Sequence, residues 1–109
     1  PAQAALAYRS ALERFPDSLS LRMGLGNVLY AAGDKPGAAR AFEAAAQRHP
    51  DSAPAWMNLA STRADLGERA AALDAARRAV AVADATWAER ARALLASLEP
   101  QAKDSSSPR

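Results

Sequence analysis

Displaced by 34 residues, the sequence falls back on itself: Pro16-Asp17-Ser18 lies over Pro50-Asp51-Ser52, Gly33 over Gly67, Leu25 over Leu59 and Met23 over Met57. Ala4 and Ala11 fall on Ala38 and Ala45, and one period later on Ala72 and Ala79. Residues 1–18 agree with 35–52 at eight of eighteen positions; 19–52 agree with 53–86 at only six of thirty-four, but those six are Gly, Leu, Met and Ala positions that decide packing. A fixed period in the range of roughly 20 to 50 residues means stacked supersecondary units, each too thin to bury its apolar face alone.

The units are helical. Of 109 residues 31 are Ala, against 12 Leu, 3 Val, 2 Phe and no Ile. So little aliphatic bulk suggests disorder only when net charge is high, and here it is +2. Alanine is the best helix former and lets helices approach closely, and five β-branched residues cannot furnish a sheet. The expected fold is all-α, with six helices. Ser18 and Ser52 suit N-caps of first helices running to about Ala32 and Leu66, where Gly33 and Gly67 supply left-handed stops. Pro36 and Pro54 sit in first turns, where a missing N–H costs little. Second helices follow from about Pro36 to Arg48 and from about Arg69 to Ala83, and residues 1–15 match only a second helix. The division expected is therefore 1–18, the second helix of a truncated unit; 19–52 and 53–86, full units; 87–99, a C-terminal cap; and 100–109, a disordered tail. Thr86-x-x-Glu89 has the form of a capping box for the last helix, whose Trp87, Ala91, Leu94, Leu95 and Leu98 share one face.

With no cysteine there is no disulfide, thiolate metal site or cysteine nucleophile in the chain. A single histidine, His49, cannot build a metal site or a Ser-His-acid set, and its place before Pro50 at a helix end reads as solvated. Gly24-x-Gly26 lies within a helix with no strand before it, so it is no phosphate cradle. The residues read as non-catalytic, with no cofactor. No apolar run reaches the roughly 20 residues of a membrane span, and no signal-peptide pattern opens the chain. A pI near 9.5 rests on two charges and argues little for nucleic acid. Arg40, Arg48, Arg69, Arg77 and Arg78 read as a solvated face, interspersed with acids and without aromatics between them. Beginning at Pro1, the chain is expected to be a segment of something longer. Cytoplasm and periplasm fit equally.

The 34-residue pattern, with Trp56-x-x-Leu59-Ala60, Leu25-Gly26-x-x-Leu29-Tyr30, Ala38-x-x-x-Phe42, Ala4-x-x-x-Tyr8 and closing Pro16 and Pro50, resembles the tetratricopeptide repeat over residues 1–86. It departs from that pattern at Arg22, Arg63 and Ala76, where aromatics are usual, and at Asp84 in place of a closing proline; Trp56 is a candidate to fill the volume Ala76 leaves. The resemblance implies a right-handed superhelix of helix pairs whose first helices line a concave, peptide-binding groove.

Helical spacing puts Arg22, Leu25, Gly26 and Leu29 toward the second helices and leaves Ser20, Met23, Asn27, Tyr30 and Ala31 on the groove side. The next unit contributes Pro54, Met57, Ser61, Ala64 and Asp65. The candidate partner-binding residues are Ser20, Met23, Asn27, Tyr30, Met57, Ser61 and Asp65. Against this stand plainer readings: Met23 and Met57 as filler between units, Asn27 and Asn58 as local backbone caps, Trp56 as core and Trp87 as packing. With Asp65 as its one charge, the groove lacks the cations a terminal carboxylate wants, so a chaperone-tail receptor is not expected. Met23, Met57 and Tyr30 suit an apolar segment instead.

A second likeness lies in Leu21-Arg22-Met23-Gly24-Leu25-Gly26-Asn27 and His49 to Trp56. These runs are similar to the helical-repeat C-terminal halves of some bacterial bacteriocin-processing-like, papain-fold cysteine peptidases. Twelve Arg against two Lys fits a GC-rich bacterial coding sequence. The expected function is capture of a protein or peptide segment by a non-catalytic part of a larger bacterial protein. The alternative is a homo-oligomerisation or scaffold module: Ala4, Tyr8, Ala11 and Leu12 on the unpaired first helix would leave apolar area for a homodimer to cover.

Overall fold

In the computed structural model, residues 2–100 are described. They form six helices: α1 (Ala2–Arg14), α2 (Leu19–Ala31), α3 (Lys35–Arg48), α4 (Ala53–Asp65), α5 (Arg69–Val82) and α6 (Ala88–Leu98). No strand occurs among the described residues. The starts and stops follow from local chemistry. Ser18 Oγ accepts from the Leu21 N–H at 3.1 Å and Ser52 Oγ from the Ala55 N–H at 3.2 Å. Asp34 does the same for α3, taking the Gly37 N–H at 2.9 Å. Gly33 and Gly67 close α2 and α4 at φ +90° and +79°, a conformation that costs other residues about 1 kcal/mol or more.

Each helix packs on the next, and α6 also reaches back to α4. Such neighbour-only packing is what separates an open stack from a closed bundle, and the extents of 56 × 29 × 18 Å agree. The result is a right-handed superhelix of antiparallel helix pairs. Its core is a small-residue lattice around a few large side chains. Ala38, Ala45, Ala46, Ala55, Ala60, Ala76 and Ala79 are fully buried, and Phe42, Leu25, Leu29, Trp56 and Leu59 fill the space between.

Trp56 lies in the core, as expected, and its Nε1–H donates to the Pro50 carbonyl at 2.8 Å. Thirty-four residues earlier Arg22 Nη2 donates to the Pro16 carbonyl at 2.7 Å. The two residues hold the same station, and the closing proline's carbonyl is fastened in both units. Arg22 Nε, however, is buried with no partner.

Several expectations need correction. The Thr86–Glu89 capping box does not form: α6 begins at Ala88, with Trp87 at the cap position and no side-chain cap bond from it. Asp84 Oδ1 instead accepts the N–H groups of Thr86 at 3.0 Å and Trp87 at 3.3 Å. The Thr86 N–H, which Glu89 would accept in a capping box, is thus held by a short, charged side chain two residues upstream. His49 is half-buried rather than solvated, its Nε2 at 2.8 Å from the Asp17 carbonyl, beside an Arg48–Asp17 ion pair at 2.5 Å. These contacts tie the end of α3 to the α1–α2 turn. Tyr8 and Leu12 do not lie bare but pack against the core, and the Tyr8 ring lies so close over Gly24 that a Cβ there would collide with it. The exposed apolar side chains of this end are Leu6 and Phe15, 60% and 58% accessible. The arginine face is not free of aromatics either, because Arg78 lies 5.1 Å over the Trp56 ring. Of the expected tail, 100–109, residues 101–109 lie outside the described residues.

Candidate groove between the first helices

A cleft of about 170 Å³ opens between α2 and α4, lined by Asn27 and Tyr30, by Asn58, Ser61 and Thr62, and floored by Phe42 from α3. It exists because the first helices of successive pairs meet over the second helix between them. Small side chains at 61 and 62 keep that meeting from filling. Thr62 is buried and turned on itself, its hydroxyl donating to the Asn58 carbonyl at 2.7 Å. Among the described residues, neither the Asn27 nor the Asn58 carboxamide bonds another group, so both keep donors and acceptors free toward the cleft.

The expected contact residues separate by position. Asn27, Tyr30 and Ser61 line the cleft. Asp65 stands at its end, where the Tyr30 hydroxyl donates to its Oδ2. Ser20 is exposed on the first turn of α2, away from that lining. Met23 and Met57 are half-buried and pack against the core cluster, so they fill space between helices and show only part of their surface. Sequence reasoning missed Phe42, Asn58 and Lys35. Asn58 sits three residues before Ser61 and is readable from that helical spacing. Lys35 is not, because it belongs to α3, the helix assigned to the convex side.

Lys35 changes the charge of the groove. Its Nζ lies 3.9 Å from Asp65 Oδ2 and 5.6 Å from the centre of the Tyr30 ring. Asp65 is therefore not a lone charge but one end of a Tyr30–Asp65–Lys35 cluster that is neutral in sum. The hydrogen bond to Asp65 raises the Tyr30 pKa above its ordinary value of 10.0, with burial and the repulsion of a phenolate by the carboxylate adding to it.

On the other side of α4 a second cleft, about 250 Å³, lies between α3 and α5 over Trp56 and Leu59. Trp56 thus leaves part of the space beside Ala71 and Ala75 unfilled. One end is crossed by Arg63, which donates to Glu68 Oε1 at 2.7 Å and to Glu43 Oε1 at 2.5 Å. The Glu68 hydrogen bond chiefly raises the Arg63 pKa, against the opposing effect of burial. No group of three or more His, Cys, Asp or Glu able to hold a metal occurs among the described residues, and no described helix is long and apolar enough to cross a membrane.

A stack of helix pairs with an uncharged cleft between successive first helices defines a helical-repeat protein of the protein-binding kind. The family model described as tetratricopeptide repeat matches residues 1–53 and again residues 25–105. The chain belongs to the tetratricopeptide repeat family, whose repeats are non-catalytic interaction modules. Among solved structures it is similar to a crystal structure of MamA, with a TM-score of 0.75 and 26% identity over 93% of this chain and 56% of that one. A second crystal structure of MamA protein gives a TM-score of 0.75 and 26% identity over 94% of this chain and 52% of that one. The chain thus spans little more than half the length of these proteins. No curated protein matches it at a significant level. The likeness to bacteriocin-processing-like peptidases finds no support in these matches.

Proposed function

We propose that the chain captures a protein or peptide segment in the groove between α2 and α4, as the non-catalytic part of a larger bacterial protein. Residues 19–52 and 53–86 act as its two repeats and 87–99 as the cap. Asn27, Tyr30, Ser61 and Asp65, joined by Asn58, are the contact residues at the cleft, and Ser20 with the exposed parts of Met23 and Met57 extends the contact along α2 and α4 beyond it. The observation that carries the reading is the cleft over Phe42 with two unengaged carboxamides, Asn27 and Asn58, on facing helices. A carboxamide can donate and accept at once, which suits the backbone of an extended segment, and an apolar floor suits an uncharged side chain. The neutral Tyr30–Asp65–Lys35 corner argues the same way, since it offers no surplus cation to a terminal carboxylate.

The test is capture from a bacterial extract by the immobilised chain and by Asn27→Glu and Ser61→Glu, whose side chains are exposed and tolerate charge without loss of the core. Proteins retained by the wild type and released from both variants, with circular dichroism unchanged, are the expected result. Equal retention by all three overturns the reading.

One observation favours self-association as a second reading: the exposed Leu6 and Phe15 on the α1 side. Tyr8→Glu is the wrong probe, because Tyr8 packs on Gly24. Leu6→Glu and Phe15→Glu should turn a dimer into a monomer by light scattering, and a chain that is monomeric throughout removes the idea.

A further inference from the structure

A third cleft, about 280 Å³, opens at the edge of the stack where α2 and α4 begin and α5 gives way to α6. Its apolar lining is Leu19, Pro54, Val82 and Trp87, and two carboxylates, Asp51 and Asp84, stand at its rim. Val82 is 37% accessible. Among the described residues no cation comes within ion-pair distance of either carboxylate. Arg90 stands 5.2 Å over the Trp87 ring but pairs with neither.

The helix starts nearby bring positive ends of their own, so the sign has to be settled by magnitude. Each helix N-terminus acts as about half a positive charge and each C-terminus as about half a negative one, so the starts of α2, α4 and α6 and the end of α5 sum to about one positive charge. The two carboxylates outweigh them. The α4 start is weakened further, because Ser52 Oγ already takes the Ala55 N–H and Pro54 has none to offer. Asp84 engages Oδ1 with the N–H groups of Thr86 and Trp87 and keeps Oδ2 free.

We infer that this cleft is a docking pocket for a protein segment carrying an Arg or Lys side chain next to an aliphatic one, the cation seated between Asp51 and Asp84 and the aliphatic group against Trp87, Val82 and Pro54. The inference rests on the proposed function only in taking a protein segment as the partner; cleft and groove are lined by different residues and are tested apart.

The experiment is a ¹⁵N-NMR titration of the 109-residue chain with acetyl-Gly-Ser-Arg-Leu-Ser-Gly-amide and its Gln and Glu counterparts at the Arg position. The Trp87 indole N–H reports on the cleft. The Trp56 indole N–H, bonded to Pro50, is the internal control. The Arg peptide should move Trp87 saturably and leave Trp56 in place, and the Gln peptide should bind roughly three- to five-fold more weakly, as a partly exposed ion pair allows. The Glu peptide should bind more weakly still. The Asp51→Asn/Asp84→Asn pair should abolish the difference between Arg and Gln. Asp84→Asn keeps a side-chain oxygen to accept the N–H groups that start α6, so circular dichroism stays unchanged.

An unmoved Trp87 at roughly 5 mM Arg peptide, beyond the weak end of specific binding, overturns the inference, as does equal binding of the Arg and Gln peptides. Movement of Trp87 on dilution without peptide, which would make a second copy the occupant, overturns it too, and so does movement on removing 101–109, which would make it the chain's own tail. If the peptide moves the Asn27 and Asn58 side-chain amides but not Trp87, the cleft falls and the groove reading stands. Movement at Trp87 together with failure of the capture experiment gives the converse.

Discussion

Arg22 and Trp56 are the same position solved with two chemistries. Each sends an N–H to the carbonyl of the proline that closes the preceding unit, so the bond is a property of the position. The arginine makes it at the expense of a buried, unpartnered Nε. A buried donor left unpaired costs about 1 to 3 kcal/mol, and an indole has no second donor to strand. Arg22→Trp should therefore stabilise the chain by about 1 kcal/mol, raising Tm by roughly 4 to 8 °C for a domain of this size; calorimetry checks it, and a lowered Tm would mean that the ring does not fit. The sequence marks Arg22 as a departure from the repeat pattern and places it facing inward. It cannot reveal the orphaned Nε, which depends on how three guanidinium nitrogens divide one carbonyl.

Between elements, closeness is set by glycine and alanine. A Cβ on Gly26 would drive into the Phe42 ring, and Phe42 is 2% accessible, with nowhere to go. Alanine in a helix is favoured over glycine by about 1 kcal/mol, but overpacking a filled core costs about 1 to 3 kcal/mol. The collision should win, so Gly26→Ala should lower stability in urea melts, and Phe42→Leu should cost less in that background than alone. The helices themselves are legible in the sequence: serine caps, first-turn prolines and left-handed glycines are contiguous signals that need no tertiary knowledge. The start of α6 is not, because Asp84 and Glu89 are rival acceptors for the Thr86 N–H and only geometry decides between them. His49 escapes for a related reason, since its acceptor, the Asp17 carbonyl, lies 32 residues away.

For the molecule as a whole, the period makes the stack legible and helical spacing gives the groove its lining from α2 and α4. Its electrostatics stay hidden, because Lys35 enters from α3 and no spacing rule joins it to Asp65. That corner links successive pairs through the Tyr30–Asp65 hydrogen bond and has a pH signature. Tyr30 titrates higher in the folded chain than its ordinary 10.0, so the folded state holds this proton more tightly than the unfolded one. The contribution to stability is complete below about pH 10 and is lost as pH rises through the folded value. Stability by urea unfolding should fall over that alkaline window in the wild type and fall less in Tyr30→Phe; parallel curves would show that the bond does not survive in solution. The fastening of Pro16 by Arg22 and of Pro50 by Trp56 carries a different consequence. Because every unit brings the donor that clips down its predecessor, the array is extendable by whole blocks. A duplicate of residues 53–86 spliced after residue 86 would bring its own Trp donor and its own glycine stop, and would find the Asp84 carbonyl where the earlier units offer a proline's, lengthening the spiral by one hairpin while both ends keep the neighbours they have now.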